Sequence, residues 1–284
     1  MTRKTVNNIL IILIIVFSLI VSSYGFFSNK NVYEDKTFLS LNDEIVSLYG
    51  KGLYYNDSIS MASQFRAQDI VTLIIGLPIL IVSFILFNRN SLKGKLLLTG
   101  TIGYFLYTYV SYSFLAAYNK LFLIYVALMS LSLFCFIINF TSSELKDIKT
   151  HFSPKFPRKY IAISSVIMGI FICFLWLSMI ISSINKVPHV LEHYTTLVIQ
   201  ALDLGFIVPL SILSGILLLL NKSLGYLLSP VIIIKGVTLL LAITMMAIFQ
   251  VISGVNVSII ELIMFPLFAM ICIINMFLIL RSIE

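Results

Sequence analysis

Charge is the property this 284-residue chain has least of. Only 11% of its residues are Asp, Glu, Lys or Arg, against 60% hydrophobic, and the mean hydropathy is +1.05. Too few polar residues are present to cover a soluble domain of this size, so a water-soluble globule is excluded. Cysteine is nearly absent. Cys135, Cys173 and Cys272 fall singly in three apolar stretches without a Cys-x-x-Cys, which leaves thiol–disulfide chemistry no centre. None of the three histidines lies in an apolar stretch, so bis-histidine haem has no ligands. No P-loop and no nucleophile elbow occur, so ATPase and hydrolase chemistry lack their residues. A single tryptophan, Trp176, and the lack of a lysine-box pattern speak against a retinal protein, although Lys235 stands alone in the seventh stretch.

What is present is a series of apolar runs of roughly 20 residues. That is the length at which an α-helix crosses hydrocarbon with every backbone amide paired. The fold class expected is all-α: a polytopic helical membrane protein with about eight transmembrane helices. The spans are read at 9–27, 69–87, 96–118, 121–140, 161–184, 197–220, 227–250 and 257–280. If the N-terminus is inside, twelve of the nineteen Lys and Arg residues fall on that side, six fall on the other, and Lys235 belongs to neither. This asymmetry predicts cytoplasmic N- and C-termini. The net charge of +7 then reflects anionic inner-leaflet lipid, and no nucleic-acid partner is needed. Met1-Thr2-Arg3-Lys4 before an apolar run resembles a secretory signal, but the run continues through Phe26-Phe27, and we expect a retained first helix.

The chain also reads as one plan stated twice. A proline (Pro78, Pro209), an apolar stretch and a basic Ser-Leu-Gly turn recur, each with Gln and Asp upstream: Gln68 and Asp69, then Gln200 and Asp203. This echo predicts a 4+4 parallel internal repeat, although the positive-inside rule alone makes basic turns resemble one another. The halves are 1–140, with an outer loop at 28–68, and 161–284, joined by a cytoplasmic linker at 141–160. Within the outer loop, Phe38 to Tyr49 reads as an amphipathic helix with Leu41, Ile45 and Leu48 on one face, either a lid or a spacer.

Ionisable groups at membrane depth are costly and mark candidate sites. Lys235 lies about 12 Å inside the basic edge, where it either snorkels home or faces the bundle interior. Aligning the copies sets Tyr104 opposite Lys235. Asp203 is the leading partner for Lys235, on one helical face with Gln200, and Pro209 frees a carbonyl near Gly205 that would open the helix there. Arg66, Gln68, Asp69 and Glu261 gather at the outer level, either as interfacial caps or as a polar vestibule leading toward Lys235. Tyr104, Tyr107, Ser111, Phe114 and Tyr118 share a stripe that reads as packing. His189, Glu192 and His193 match the H-x-x-E-H pattern of inverted zinc peptidases. They sit in a short loop beside Pro188 without the rest of such a domain, so no metal site is expected.

The stretches Gln68-Asp69-Ile70-Val71-Thr72-Leu73 through Pro78, Gly103-Tyr104-Phe105-Leu106-Tyr107, Tyr118-Asn119-Lys120-Leu121-Phe122 and Ala201-Leu202-Asp203-Leu204-Gly205 resemble a group of bacterial multi-span integral membrane proteins. The resemblance implies a multi-pass protein of a bacterial plasma membrane and brings no activity with it. The residues themselves suggest a small-solute or ion transporter-like protein with a small-molecule or ion ligand and no cofactor. A membrane-embedded enzyme acting on a lipid or quinone, or a scaffold or sensor, are the alternatives. Membrane lipid is the one partner that composition demands, and no protein partner is identified.

Overall fold

Small polar residues start the helices where apolar runs begin. Thr2, Ser58, Ser91 and Ser258 each accept a backbone N–H of the first turn through the side-chain oxygen, satisfying donors that the helix itself cannot. The structure, a computed structural model, describes residues 2–34, 36–41, 43–142, 147–184, 187–188 and 191–284. Its helices are α1 (Arg3–Phe27), α2 (Ile59–Val71), α3 (Leu77–Asn88), α4 (Leu92–Leu115), α5 (Phe122–Phe140), α6 (Arg158–Ser182), α7 (Val198–Leu202), α8 (Val208–Leu219), α9 (Ser223–Ile252) and α10 (Ile259–Arg281). A π-helical segment joins α2 to α3 and another joins α7 to α8, making two continuous rods. Seven rods among the described residues are long and apolar enough to cross a membrane, so the chain is a multi-pass helical membrane protein.

The remaining long helix, α4, is not among the seven. It carries Lys93, Lys95 and four tyrosines, yet fifteen of its 24 residues are buried. It packs against α3, α5 and α9, and a helix shielded from lipid on most sides need not be apolar. Gly100 lets α4 and α9 approach closely, since a Cβ there would lie 2.6 Å from Ile234 Cβ.

The two composite rods share a detailed plan. Thr72–Gly76 and Asp203–Ile207 are π-helical, and in each the next residue donates its N–H five positions back, Leu77 to the Thr72 carbonyl and Val208 to the Asp203 carbonyl. Pro78 and Pro209 then supply no N–H, which favours the shifted register. Each rod ends at an asparagine in the left-handed region (Asn90, φ 57°; Asn221, φ 59°), and α4 or α9 follows. Every one of these features recurs 131 positions later: Thr72 to Asp203, Pro78 to Pro209, Asn90 to Asn221, and α4's Leu92 to α9's Ser223. On this register Asp69 corresponds to Gln200, so the two Gln–Asp pairs seen in the sequence are not equivalent to each other.

Both chain ends lie at one end of the bundle. Arg3 donates to Thr141 Oγ1 (2.9 Å), the Ser153 N–H to the Ser282 carbonyl (2.8 Å) and Lys149 to the Asn221 carbonyl (3.0 Å). At the opposite end the first loop is shorter than expected, because α2 starts at Ile59 and takes residues 59–68 into the bundle. The amphipathic helix read over Phe38 to Tyr49 does not form. A β-hairpin stands there, β1 (Thr37–Leu39) antiparallel to β2 (Ile45–Ser47), with Phe38 opposite Val46. Ile45 and Val46 are β-branched, Asp43 takes a left-handed conformation (φ 61°), and the Ser40 N–H donates to the Glu44 carbonyl (2.8 Å). Turn chemistry and β propensity outweigh a helical period that is only three residues deep.

Candidate functional site

Lys235 sits in the middle of α9, and its side chain stays inside the bundle instead of reaching back to an edge. The residue is 5% exposed, and its Nζ lies 3.9 Å from the centre of the Tyr107 ring with no hydrogen-bond partner. Tyr107 comes from α4, and its hydroxyl donates to Asp203 Oδ1 (2.7 Å). Trp176 of α6 donates its indole N–H to Asp203 Oδ2 (2.9 Å). One carboxylate at the head of the second π segment is thus held by two donors, and the ammonium stacks on one of them within electrostatic reach of Asp203. The π turn aims Asp203 inward: the residue is buried, while Gly205 and Phe206 of the same turn are exposed. The expected Lys235–Asp203 association therefore runs through the ring of Tyr107, a member of the aromatic stripe. The signal that would have found it is a rule: a lone tryptophan or tyrosine in a span needs a partner for its polar tip.

A second acidic centre occupies the other rod. Asp69 is fully buried. Its Oδ2 accepts the Tyr54 hydroxyl (2.6 Å) and its Oδ1 the Tyr112 hydroxyl (3.1 Å). Gln68 donates to Tyr104 (2.6 Å) and Thr108 (3.0 Å), and Tyr104 shares a 2.8 Å hydrogen bond with Thr72. Tyr104 and Lys235 hold the same position on the 131-residue register, as do Thr72 and Asp203. A neutral hydroxyl pair between the first rod and α4 thus corresponds to an acid and a base between the second rod and α9. No protein-family model, curated protein or solved structure matches this chain.

The remaining candidates are dispersed. Arg66 donates to the Tyr49 hydroxyl (2.6 Å) and flanks Phe26, bracing the first loop. Gln200 is half-buried in the first turn of α7, and Glu261 is half-buried in the first turn of α10, where a carboxylate favours the helix dipole. The cleft at the hairpin end holds about 540 Å³ between Glu44, Val46, Ser60, Glu192 and Ser253, and neither Asp203 nor Lys235 lines it. Ser253 stands eighteen residues beyond Lys235 on α9 and its C-cap, roughly 27 Å away along the axis. Of the H-x-x-E-H motif, His189 lies outside the described residues. Glu192 accepts the hydroxyl of Ser58, the cap of α2, and His193 stacks on Tyr194 at 4.3 Å. Among the described residues no group of three His, Cys, Asp or Glu side chains is placed to hold a metal.

Asp57 clasps the loops at the hairpin end. Its Oδ1 accepts both the Ala117 N–H (2.8 Å) and the Tyr194 hydroxyl (2.8 Å), tying the first loop to the α4–α5 turn and to the loop before α7. Burial pushes its carboxyl from 3.8 up to about 7, against the opposing pull of these two donors. The folded state therefore holds this proton more tightly than the unfolded chain. The stabilisation is complete below about pH 4 and is lost as pH rises through about 7, with a slope of up to about 1.4 kcal/mol per pH unit. We expect Asp57→Asn to flatten the pH dependence of thermal unfolding across that window. An unchanged slope would assign the dependence to other groups.

Proposed function

We propose that this chain is a transporter-like protein of a bacterial plasma membrane, and that its substrate, a small anion or anionic solute, is recognised at Lys235. We read α4 as an eighth span and the two halves as a 4+4 parallel repeat with both termini cytoplasmic. The 131-residue register of π segment, proline and left-handed asparagine supports the repeat, and the shared end of the two termini supports an even number of crossings. A parallel repeat with charged groups deep between its halves follows a known transporter logic. One observation carries the reading: a buried ammonium at membrane depth without a hydrogen-bond partner, beside a carboxylate already held by two other donors. Such an ammonium is costly at rest and well suited to a ligand that supplies the missing acceptors. The hairpin-end cleft serves as the mouth, and the site is closed to it in the present conformation.

The single tryptophan makes this testable, because the Trp176 indole touches Asp203 directly. Titrating purified protein in detergent with chloride, phosphate, acetate and succinate should shift Trp176 emission saturably for at least one anion. Asp203→Asn should change both the starting emission and the midpoint. Emission that ignores every anion would defeat the proposal.

A further inference from the structure

The buried face of α1 is polar where a lipid-protected helix should be apolar. Asn7, Ser18 and Ser22 lie on it beside Ile11 and Ile14, and α5 answers with Tyr125, Ser132, Cys135 and Asn139. Asn7 and Asn139 exchange side-chain hydrogen bonds of 3.1 and 2.8 Å, which sets the level of α1 against the antiparallel α5. From that rung, at 1.5 Å per residue, Ser132 stands roughly 10 Å higher, Ser18 roughly 16 Å and Ser22 roughly 22 Å. Ser18 and Ser22 both lie beside the Tyr109 hydroxyl, and Ser22 lies beside Asp69. Polar groups thus run from Asp69 near the hairpin end to the Asn pair near the termini. The successive rises are about 6 Å or less, with Cys135 between the Asn pair and Ser132; one water hydrogen-bonded on both sides spans about 5.6 Å.

Four hydroxyls at this seam make no hydrogen bond within 3.5 Å: Ser18, Tyr109, Tyr125 and Ser132, each at most 1% exposed, with Ser18 and Ser22 beside Tyr109, Asn119 and Tyr54 beside Tyr125, and Ser132 apart from all of these. Alanine or phenylalanine would pack there without the desolvation cost, so these hydroxyls call for a role beyond packing. We propose that the α1–α4–α5 seam is a proton pathway, with Asp69 as its proton-binding group and Tyr109, Ser18 and Ser132 as relay hydroxyls. In each step a hydroxyl passes its proton to the next oxygen through a bridging water and takes one from the side before. The hydroxyls end unchanged, and one positive charge has moved along the seam. The titratable groups facing Asp69 are Tyr54 from the first loop, Tyr112, Tyr109 and Tyr125 from α4 and α5, and Arg66 from its own helix. The pathway does not depend on the anion site: Tyr107 leaves α4 two residues from Tyr109, roughly 160° around the helix.

The test uses full-length protein in phosphatidylethanolamine–phosphatidylglycerol vesicles with a trapped pH dye and a potassium-valinomycin potential. Wild-type vesicles should take up protons faster than protein-free ones, with no anion substrate added. Asp69→Asn keeps an acceptor for Tyr54, while Tyr112 retains the Phe65 carbonyl and can accept from the new amide, and this variant should return the rate to the protein-free level. Tyr109→Phe and Ser132→Ala remove hydroxyls that make no hydrogen bond within 3.5 Å, so they should fold normally and slow uptake several-fold. Wild-type uptake at the protein-free rate overturns the proposal. So does uptake that Tyr109→Phe and Ser132→Ala both leave unchanged, whatever Asp69→Asn does. An anion-independent rate lost with Asp69 but intact emission titration at Trp176 separates this pathway from the anion site.

Discussion

Replacing Asp69 with alanine is expected to lower the stability of the folded bundle by about 2–4 kcal/mol. Three parts of the chain meet at this carboxylate: Tyr54 from the first loop, Tyr112 from α4, and α1 through Gly25. Alanine would leave the buried Tyr54 hydroxyl without its acceptor, at about 1–3 kcal/mol, while Tyr112 keeps the Phe65 carbonyl (3.0 Å), and a cavity would remain where the carboxylate was. Water cannot readily repair the loss, because Tyr54 is 1% exposed and Tyr112 3%. Gly25→Ala tests the same contact from the other side. A Cβ there would lie 2.0 Å from Asp69 Oδ2 and 2.6 Å from the Tyr54 hydroxyl, so one of the three must move, at a cost of about 1–3 kcal/mol or more. Thermal unfolding in detergent, followed by circular dichroism, measures both variants. A loss under about 1 kcal/mol for Asp69→Ala would mean that the Tyr54 hydroxyl finds another partner.

Lys235→Met is expected to do the opposite: raise stability by about 1–3 kcal/mol while abolishing the anion response of Trp176. Methionine keeps the length of the side chain and its packing against Tyr107 but removes a charge buried without a hydrogen bond. The contact with the Tyr107 ring returns about 2 kcal/mol and Asp203 adds an attraction across the ring, together less than the several kcal/mol of desolvating the ammonium. Asp203 keeps both donors in the variant, so the substitution strands no acceptor. A protein that tolerates such a cost at rest is retaining the charge for use, and stability exchanged for function is the signature to look for. Unfolding of Lys235→Met at a lower temperature than wild type, with the anion titration intact, would make Lys235 a structural residue and end the transport reading.

Much of the architecture is legible in the residues one by one. Apolar runs place α1, α5, α6, α9 and α10 to within about six residues at their ends, because hydrocarbon demands a continuous helix and caps such as Thr2 and Ser258 start it. Pro209 marks the opened helix at Asp203, since a missing N–H must shift the hydrogen-bond register. The start of α2 is not legible in the same way. Residues 59–68 contain Ser63, Gln64, Arg66 and Gln68, which look extramembrane until Tyr112, Tyr49 and Tyr104 are seen to engage that helix. The hairpin at Thr37–Ser47 fails for a related reason: over twelve residues, helical and strand periods fit about equally well, and contacts of the turn decide.

What the sequence determined by itself is the solvent and therefore the class: with 11% charge and repeated apolar runs, lipid is the only medium and helices the form these runs take in it. It also marked Lys235, Asp203 and Asp69 as groups that need an account. Only the tertiary structure decided what they meet. A helical period assigns a residue to a face and says nothing about which helix that face will touch. That choice depends on close approaches such as Gly100 against Ile234, which brings α4 onto α9 and so places Tyr107 between the ammonium and the carboxylate.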